Sequence, residues 1–284
     1  MFNNSPIQTF EFRGKSFLIK RDDLLHSDFS GNKARKFYYY FNYLKQNHQI
    51  NKIISYGSNQ SNAMYSMSVL AKLFNIELEY YVKYISQNLK TNPIGNYKYT
   101  LQNKTKIIEN PQIVEKLKNN EINFSKNTLF IKEGGAVKEA EEGIKILANE
   151  LKEYEDYSIF LPSGTGVTSL YLQKYFKGKV YTCSCVGDDD YLLKQWQELE
   201  KNNFPTIIPK HKKFHFGKLY KENYQIWFEL KHAGIEFDLL YDPIGWQIVM
   251  NNLELLGEKI IYIHQGGIKG NESMLERYQR KYGD

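Results

Sequence analysis

Short apolar segments alternate with amphipathic segments along most of the chain, and this alternation predicts strands followed by helices. The apolar segments are rich in β-branched and aromatic residues, which is typical of buried strands, and they lie at residues 17–20, 52–55, 76–82, 129–131, 157–161 and 180–186. Helical spacing of apolar side chains is found at residues 34–46, 63–74, 136–151, 169–176, 191–201 and 226–234. Further strands are predicted at residues 238–241 and 259–263. Repeated strand, helix, strand units build parallel sheets, so the pattern predicts an open α/β architecture.

The composition is that of a globular protein. Of the 284 residues, 42% are hydrophobic and 25% are charged, and no uninterrupted apolar stretch is long enough to span a bilayer. The first six residues lack the basic start and the apolar segment of a secretory signal, so we expect a cytoplasmic protein without a membrane partner. Cys183 and Cys185 are the only cysteines, and two thiols make no zinc site, so we interpret both as core or half-buried residues of a strand.

A net charge of +6 raises the question of nucleic-acid binding. The basic residues are spread through the chain, and the one local cluster, Lys210-His211-Lys212-Lys213, lies in a segment that we interpret as a loop. This cluster is either a solvated loop or a phosphate-binding patch. Because no nucleic-acid-binding motif accompanies it, we favour the loop and expect no nucleic-acid partner.

Lys33 is the first candidate for covalent chemistry. It follows a tight turn, Ser30-Gly31-Asn32, that comes after the strand predicted at residues 17–20. A lysine held in such a turn can form a Schiff base with a carbonyl group if its amine is uncharged. The alternative is a solvated surface charge, which is the common role of a single lysine in a chain rich in lysine.

Two further loops lie where a predicted strand passes into a helix. Residues 163–168 are rich in glycine and threonine and end at a helix start, where free backbone N–H groups favour a phosphate; a plain tight turn is the alternative. Ser61 and Asn62 precede the helix predicted at residues 63–74, where helix capping is the alternative to ligand binding. Loops at the carboxyl ends of strands face a common crevice in open α/β sheets, so we expect these loops to converge.

Jointly, these motifs resemble those of the 1-aminocyclopropane-1-carboxylate deaminase and D-cysteine desulfhydrase family, whose members are fold-type II pyridoxal phosphate enzymes. The matching segments keep their order over nearly the whole chain and are Lys20-Arg21-Asp22-Asp23-Leu24, Gly31-Asn32-Lys33-Ala34-Arg35-Lys36, Ser58-Asn59-Gln60-Ser61-Asn62, Gly95-Asn96, Gly134-Gly135, residues 164–168 and His264-Gln265-Gly266-Gly267. The resemblance implies a tryptophan synthase β-like fold with two open, twisted, mostly parallel sheets flanked by helices. It also implies pyridoxal 5'-phosphate as cofactor, a small amino acid as substrate, and a homodimer.

The resemblance further implies roles for individual residues. Lys33 holds the cofactor covalently and, once the substrate amine has displaced it, serves as the proton-transfer base. Asn62 binds the ring hydroxyl, and Gln265 stands where a side chain commonly bonds the pyridine nitrogen. Ser61 and Gln60 receive the substrate carboxylate, and Ser61 also contacts the reacting carbon. The phosphate is held by the backbone amides of Gly164, Thr165, Gly166, Val167 and Thr168.

Three positions depart from the family pattern. Gly245 stands where the deaminases usually carry a catalytic tyrosine a few residues after Asp242-Pro243, although Tyr241 or another tyrosine can substitute. Ala63 replaces the polar residue that commonly follows the Ser-Asn pair. Gln265 replaces a threonine and supplies no charge to the pyridine nitrogen, so the ring is a weaker electron sink and β-elimination is favoured. Opening of a cyclopropane ring therefore ranks below elimination from a D-cysteine-like or D-serine-like amino acid.

These features predict a pyridoxal phosphate-dependent lyase or deaminase that converts a small amino acid into a 2-oxo acid and ammonia. The alternative is a non-catalytic protein that binds the cofactor but has lost the substrate chemistry. We expect two domains around a crevice, with a small domain of residues 36–128 and a large domain that combines residues 1–35 with residues 129–284.

Overall fold

The computed structural model describes residues 4–29 and 31–283, so predictions that concern Met1-Phe2-Asn3, Ser30 or Asp284 lie outside the described residues. The strands are β1 (Ile7–Phe12), β2 (Lys15–Arg21), β3 (Lys52–Tyr56), β4 (Glu77–Val82), β5 (Lys106–Glu109), β6 (Thr128–Phe130), β7 (Ser158–Ser163), β8 (Val180–Ser184), β9 (Thr206–Ile207) and β10 (Ile260–His264). The helices are α1 (Gly31–Lys36), α2 (Tyr38–Gln46), α3 (Asn62–Phe74), α4 (Gln87–Thr91), α5 (Gly95–Gln102), α6 (Pro111–Lys118), α7 (Ala140–Glu150), α8 (Val167–Tyr175), α9 (Asp189–Gln197), α10 (Lys221–His232), α11 (Asp242–Asn251), α12 (Leu253–Leu256) and α13 (Asn271–Tyr282).

The strands form two sheets. One has six strands in the order β1-β2-β10-β7-β8-β9, and the other has four in the order β5-β4-β3-β6. Between the described strands, every pairing is parallel except that of β1 with β2, which form an antiparallel hairpin. The prediction of two open, mostly parallel sheets in an α/β architecture is therefore confirmed.

The four-stranded sheet comes from one continuous stretch of chain, and the six-stranded sheet comes from the residues on either side of that stretch. β6 pairs with β3, so residues 128–130 belong to the four-stranded sheet. This strand extends beyond residue 128, the predicted end of the small domain. The division into a small domain of residues 36–128 and a large domain stays a prediction.

Each sheet has its own apolar core. In the core of the six-stranded sheet, Trp246 stacks on Tyr262 with ring centroids 4.5 Å apart, and both Cys183 and Cys185 are buried as free thiols. The core of the four-stranded sheet receives fully buried side chains from α3, namely Ala63, Met64, Met67 and Leu70. Burial of a large apolar side chain stabilises a fold by about 1.5–3 kcal/mol, so these contacts hold the helices on their sheets.

The prediction of a strand at residues 238–241 is wrong. These residues form a turn that leads into α11, and the carboxylate of Asp238 accepts hydrogen bonds from the backbone N–H groups of Leu240 at 2.8 Å and Tyr241 at 2.7 Å. An aspartate that binds the amides two and three residues ahead stabilises a turn in competition with strand pairing. Pro243 then lies in the first turn of α11, where its missing N–H costs nothing.

A network of buried charges fastens α1 to the six-stranded sheet and to α7. The guanidinium of Arg35 donates to Asp22 at 2.7 and 3.1 Å and to Glu150 at 2.7 Å. Lys20 of β2 pairs with the same Glu150 at 2.7 Å, and the side chains of Lys20 and Arg35 are only 0% and 1% exposed. Because each of these charges depends on a partner of opposite sign, removal of one partner leaves another buried charge uncompensated.

We expect Glu150→Gln to lower the free energy of unfolding by about 3–5 kcal/mol, because Lys20 and Arg35 would lose a shared carboxylate inside the protein. Urea denaturation followed by tryptophan fluorescence measures this change. Glu229→Gln is the matched control: Glu229 pairs with Arg13 at 2.8 Å, but both side chains are 44% exposed, so we expect a loss of about 1 kcal/mol or less. Equal losses for the two variants would contradict the anchoring role of the network.

Candidate active site

The first turn of α1 lies against the loop that follows β10. Gly31 has a φ of +67°, and a side chain at this position would collide with the backbone carbonyl of Gln265. The backbone N–H of Asn32 donates to that carbonyl at 3.0 Å. The motif that contains Gly31, Asn32 and Lys33 and the motif that contains Gln265 therefore meet at the start of α1.

Lys33 projects from α1 as a half-buried side chain. Its Nζ lies 3.3 Å from Oδ1 of Asn32, which is a neutral group. Burial lowers the pKa of Lys33 from its usual value of 10.5 to about 8, and the negative charge of Asp238 opposes this shift. Part of the Lys33 population is therefore uncharged near neutral pH, and the uncharged amine is the form that attacks a carbonyl carbon.

Ser61 and Gln60 precede α3, the helix whose start was predicted to receive a carboxylate. Ser61 Oγ accepts hydrogen bonds from the backbone N–H groups of Ala63 at 3.1 Å and Met64 at 3.4 Å, so Ser61 caps the helix and keeps its own hydroxyl hydrogen for another acceptor. The side chain of Gln60 donates to the carbonyl of Ile94, next to α5, at 3.0 Å. The predicted contacts of both residues with a substrate stay predictions.

Asn62 stands at the place where the two sheets face each other. Its Oδ1 accepts a hydrogen bond from Nδ2 of Asn96 at 2.6 Å, so its own Nδ2 points the other way, toward Asp238. Gly267 closes over this pair, because a β-carbon at that position would lie 2.6 Å from Nδ2 of Asn62 and 2.9 Å from Oδ2 of Asp238. The Nδ2 of Asn62 thus faces Asp238, and the predicted contact of Asn62 with a ring hydroxyl stays a prediction.

The loop of residues 164–168 joins β7 to the N-terminus of α8. Gly166 has a φ of +70°, and its carbonyl accepts hydrogen bonds from Nε1 of Trp196 at 3.0 Å and from Oγ of Ser169 at 2.8 Å. Oγ1 of Thr168 is buried and has no hydrogen-bond partner among the described residues. A buried hydroxyl without a partner costs about 1–3 kcal/mol, and a ligand with an acceptor at the loop would offset this cost.

Lys36 belongs to the site, although the sequence analysis assigned it no role. Its side chain is 3% exposed, and its Nζ lies 3.4 Å from Oγ1 of Thr165 and 3.5 Å from the carbonyl of Gly134. No described carboxylate pairs with it, and burial together with repulsion by Lys33 lowers its pKa well below 10.5. The signal in the sequence was its spacing from Lys33, since residues three apart in a helix lie on the same face.

Gln265 links α1 to the end of β7. Its Oε1 accepts a hydrogen bond from Nδ2 of Asn32 at 3.0 Å, and its Nε2 donates to the carbonyl of Pro162 at 2.7 Å. A side-chain amide has two N–H groups, so one remains for a ligand. The predicted contact of Gln265 with a pyridine nitrogen stays a prediction.

Tyr241, rather than Gly245, brings a hydroxyl to the loop of residues 164–168. A β-carbon on Gly245 would lie 2.6 Å from the hydroxyl of Tyr262, so this position faces the core and has no room for a tyrosine. A β-carbon on Gly164 would lie 3.4 Å from the ring of Tyr241 and 3.6 Å from its hydroxyl. Of the tyrosines considered from the sequence, Tyr241 thus contacts the predicted phosphate loop.

The assembled site combines an amine nucleophile with an anion-binding loop. The start of α1 carries Lys33 and lies close to Asn62, Asp238 and Gln265. The loop of residues 164–168 contains Thr168 and lies close to Lys36. In the part of the chain that the structure describes, no group of three or more His, Cys, Asp or Glu side chains is arranged to hold a metal ion. The arrangement suits covalent capture of a carbonyl compound that carries an anionic group.

Comparison with known proteins supports this architecture at the level of the fold. No protein-family model and no curated protein matches the chain. A solved structure described as an ACC deaminase homologue is 23% identical, with a TM-score of 0.76 over 98% of this chain and 94% of the other. A hydrogen sulfide-producing enzyme from Fusobacterium nucleatum is 13% identical, with a TM-score of 0.65 over 94% of this chain and 97% of the other.

A third solved structure is a pyridoxal 5'-phosphate-dependent aspartate racemase, which is 11% identical, with a TM-score of 0.63 over 94% of this chain and 91% of the other. All three similarities extend over nearly the full length of both chains. They confirm the predicted fold, in which two mostly parallel sheets are flanked by helices.

We expect Gly267→Ala to be more destabilising than Gly217→Ala. Both glycines have positive φ, +88° and +73°, and Gly217 lies in a turn that the N–H of Lys218 closes on the carbonyl of His215, so each alanine carries a similar backbone strain of about 1–2 kcal/mol. At Gly267 the added methyl group also meets Asn62 and Asp238, whereas nothing lies within 4 Å at Gly217, so the additional cost at Gly267 is about 1–3 kcal/mol. Thermal denaturation of the two variants measures the difference, and equal stabilities would refute the close packing around Asn62.

Proposed function

We propose that this protein is a pyridoxal 5'-phosphate-dependent lyase or deaminase that converts a small amino acid into a 2-oxo acid and ammonia. The observation that carries the proposal is the pair of lysines on α1, in which the half-buried Lys33 has a pKa of about 8 and the buried Lys36 lies at a glycine-rich loop without a carboxylate partner. The fold similarity to an ACC deaminase homologue and to a pyridoxal 5'-phosphate-dependent racemase supports the same function.

The residues at the loop fit a phosphate group. A phosphate would accept a hydrogen bond from the unpartnered Oγ1 of Thr168 and would neutralise the buried charge of Lys36. The backbone amides of residues 164–168 lie at the N-terminus of α8, where the helix dipole favours an anion. Each of these features is unfavourable or unused without an anion, which supports the choice of a phosphorylated cofactor.

The residues around Lys33 fit the remainder of the cofactor. The amine of Lys33 is the group that would bind the aldehyde, Nδ2 of Asn62 would donate to the ring hydroxyl, and the free N–H of Gln265 would donate to the pyridine nitrogen. Because Gln265 is neutral, it leaves the ring a weaker electron sink than a carboxylate would. That property favours β-elimination, in which the leaving group takes up part of the developing charge.

The substrate would lie between α3 and Tyr241. Its carboxylate suits the N-terminus of α3, where the hydroxyl of Ser61 is available as a donor. When bound, pyridoxal phosphate stabilises negative charge at the α-carbon of the substrate. Lys33 as an uncharged amine would take the proton from that carbon, and Tyr241 would offer a hydroxyl from the side of the phosphate loop.

A D-cysteine-like or D-serine-like amino acid is the first substrate to test. Ring opening of 1-aminocyclopropane-1-carboxylate is the second, because the hydroxyl of Tyr241 lies beside Gly164 and replaces the one that Gly245 lacks. The alternative function is a protein that binds the cofactor without catalysis.

We also propose a cytoplasmic homodimer. Among the described residues, no helix has the length and the apolar character needed to cross a bilayer. Light scattering of the purified protein tests the dimer.

We expect the wild-type protein, reconstituted with pyridoxal phosphate, to absorb visible light and to retain the cofactor on Lys33 after reduction with borohydride. Mass spectrometry of a proteolytic digest locates the attached group. Lys33→Ala lacks the amine and should show neither the visible band nor the attachment. Addition of D-cysteine, D-serine or the cyclopropane amino acid should change the wild-type spectrum and release 2-oxo acid and ammonia.

The outcomes separate the two functions. A protein that stays colourless with pyridoxal phosphate would contradict the cofactor assignment. A coloured protein whose spectrum responds to no small L- or D-amino acid would favour the non-catalytic alternative.

Lys36→Met should weaken the binding of pyridoxal phosphate about tenfold or more, because a buried charge-assisted hydrogen bond to phosphate is worth about 1.5–3 kcal/mol. Spectroscopic titration measures the dissociation constant. Pyridoxal, which lacks the phosphate, should bind Lys36→Met and wild type equally well. Lys45→Met, at an exposed position on α2, is the control and should bind both compounds as the wild type does. A parallel loss for pyridoxal would argue against a phosphate contact of Lys36.

A further inference from the structure

Asp238 is a buried carboxylate that no motif in the sequence pointed to. Its side chain is 5% exposed, and Oδ1 is fixed by the backbone N–H groups of Leu240 at 2.8 Å and Tyr241 at 2.7 Å. These bonds leave Oδ2 on the side of Asn62, under Gly267. The turn before α11 thus does more than connect two elements, because it delivers a negative charge to the centre of the site.

The charges around Asp238 come from three parts of the chain. On α1, Lys33 attracts the carboxylate, and the charge of Lys33 contributes to the lowered pKa of Lys36. In the turn itself, Tyr241 is a protonated phenol whose pKa is raised by burial and by Asp238. At the start of α11, Asp242 is a second buried acid, and burial and the charge of Asp238 raise its pKa well above 3.8.

Asp242 differs from Asp238 in what it faces. Its Oδ1 accepts a hydrogen bond from the hydroxyl of Tyr262 at 2.6 Å, and its Oδ2 accepts one from the backbone N–H of Asp238 at 3.0 Å. It therefore points into the core of the six-stranded sheet. Of the two acids, Asp238 is the one that contacts Asn62 and interacts with Lys33.

Asp238 also determines how the amide of Asn62 is oriented. The Oδ1 of Asn62 is taken by the amide of Asn96 at 2.6 Å, and its Nδ2 faces Oδ2 of Asp238, so both ends of the amide are defined by neighbours. A carboxylate accepts hydrogen bonds and donates none, so Asp238 favours the orientation in which Asn62 offers N–H groups to the site.

We propose that Asp238 is a positioning residue of the site: its buried carboxylate, fixed by the turn before α11 and packed against Asn62 under Gly267, orients Asn62 as a donor and serves as the counter-charge of Lys33. The proposal deepens the proposed function, because the same lysine would bind the cofactor and the same asparagine would bind its ring hydroxyl. The effect on Lys33 is a property of the cofactor-free chain. It therefore stands or falls independently of the cofactor.

The experiment measures the reaction of Lys33 with acetic anhydride in the cofactor-free protein as a function of pH, by mass spectrometry of the peptide that contains Lys33. In the wild type, the rate should rise to a plateau with a midpoint at about pH 8, where the amine loses its proton. In Asp238→Asn the midpoint should move to lower pH, because the amine loses its counter-charge. At pH 7 the rate should then be about three- to tenfold higher than in the wild type.

Two matched variants separate charge from structure. Asp242→Asn replaces a second buried acid four residues away that faces Tyr262 and the backbone of Asp238, and not Lys33, so it should leave the Lys33 midpoint unchanged. Asp238→Glu keeps the charge and should keep the midpoint close to that of the wild type. An unchanged midpoint in a folded Asp238→Asn protein would overturn the proposal, and so would an equal shift in Asp242→Asn.

A second readout covers the case in which Asp238→Asn does not fold. In the wild type, Asp238 takes up a proton near its pKa of about 6, and the attraction that keeps Lys33 protonated then disappears. Near that pH the Lys33 rate should fall by less than tenfold per pH unit. A uniform tenfold fall per unit would contradict the coupling. If pyridoxal phosphate fails to bind while Asp238→Asn shifts the midpoint, the proposed function fails and this inference stands.

Discussion

The buried guanidinium of Arg35 is the constraint on which the arrangement of the site depends. α1 has only six residues, which is too short to be stable without tertiary contacts, yet it carries Lys33 and Lys36. Arg35 holds this helix by binding the carboxylates of Asp22, which directly follows β2, and of Glu150, the last residue of α7. Gly143 allows α7 to approach closely, because a β-carbon there would lie 2.7 Å from the side chain of Tyr38 and would also collide with the carbonyl of Arg35. The buried cation of Arg35 thus fixes the position of the two lysines for which we propose functional roles.

The three cations of α1 show how burial is used in two ways. Arg35 is buried with two carboxylates and stays charged, so it contributes to the fold. Lys33 is half-buried and Lys36 is buried, neither has a carboxylate in direct contact, and both have lowered pKa values. Their desolvation is a cost to the folded chain, and such a cost is typical of residues with the reactive and anion-binding roles proposed for these two. On α1, Arg35 therefore stabilises the fold, whereas burial of the amines of Lys33 and Lys36 destabilises it. A bound anion would offset part of that destabilisation.

The sequence predicted the alternation of strands and helices and the convergence of the loops, because these features depend on local periodicity and on the geometry of parallel sheets. It failed where one side chain overrides the apolar pattern, where a helix decides which way a residue faces, and where a contact joins distant parts of the chain. The apolar residues after Asp238 looked like a strand, but the carboxylate of Asp238 folds them into a turn. Gly245 was located by counting from Asp242-Pro243, whereas the helix turns that position into the core. Lys36 meets Gly134 and Thr165, which are 98 and 129 residues away, and no local pattern records such contacts.

The strand order has a consequence for how the protein is made. β10 lies between β2 and β7, although it is the last strand of the chain, and the loop after it supplies Gln265, which bonds both Asn32 and Pro162. During synthesis, β2 and β7 therefore leave the ribosome long before the strand that separates them, and each has an unpaired edge in the meantime. Those edges are places where a nascent chain can join its neighbours in aggregates or form a premature pair. The active site is consequently among the last parts of the molecule to be completed, and a chain released before residue 260 would lack it.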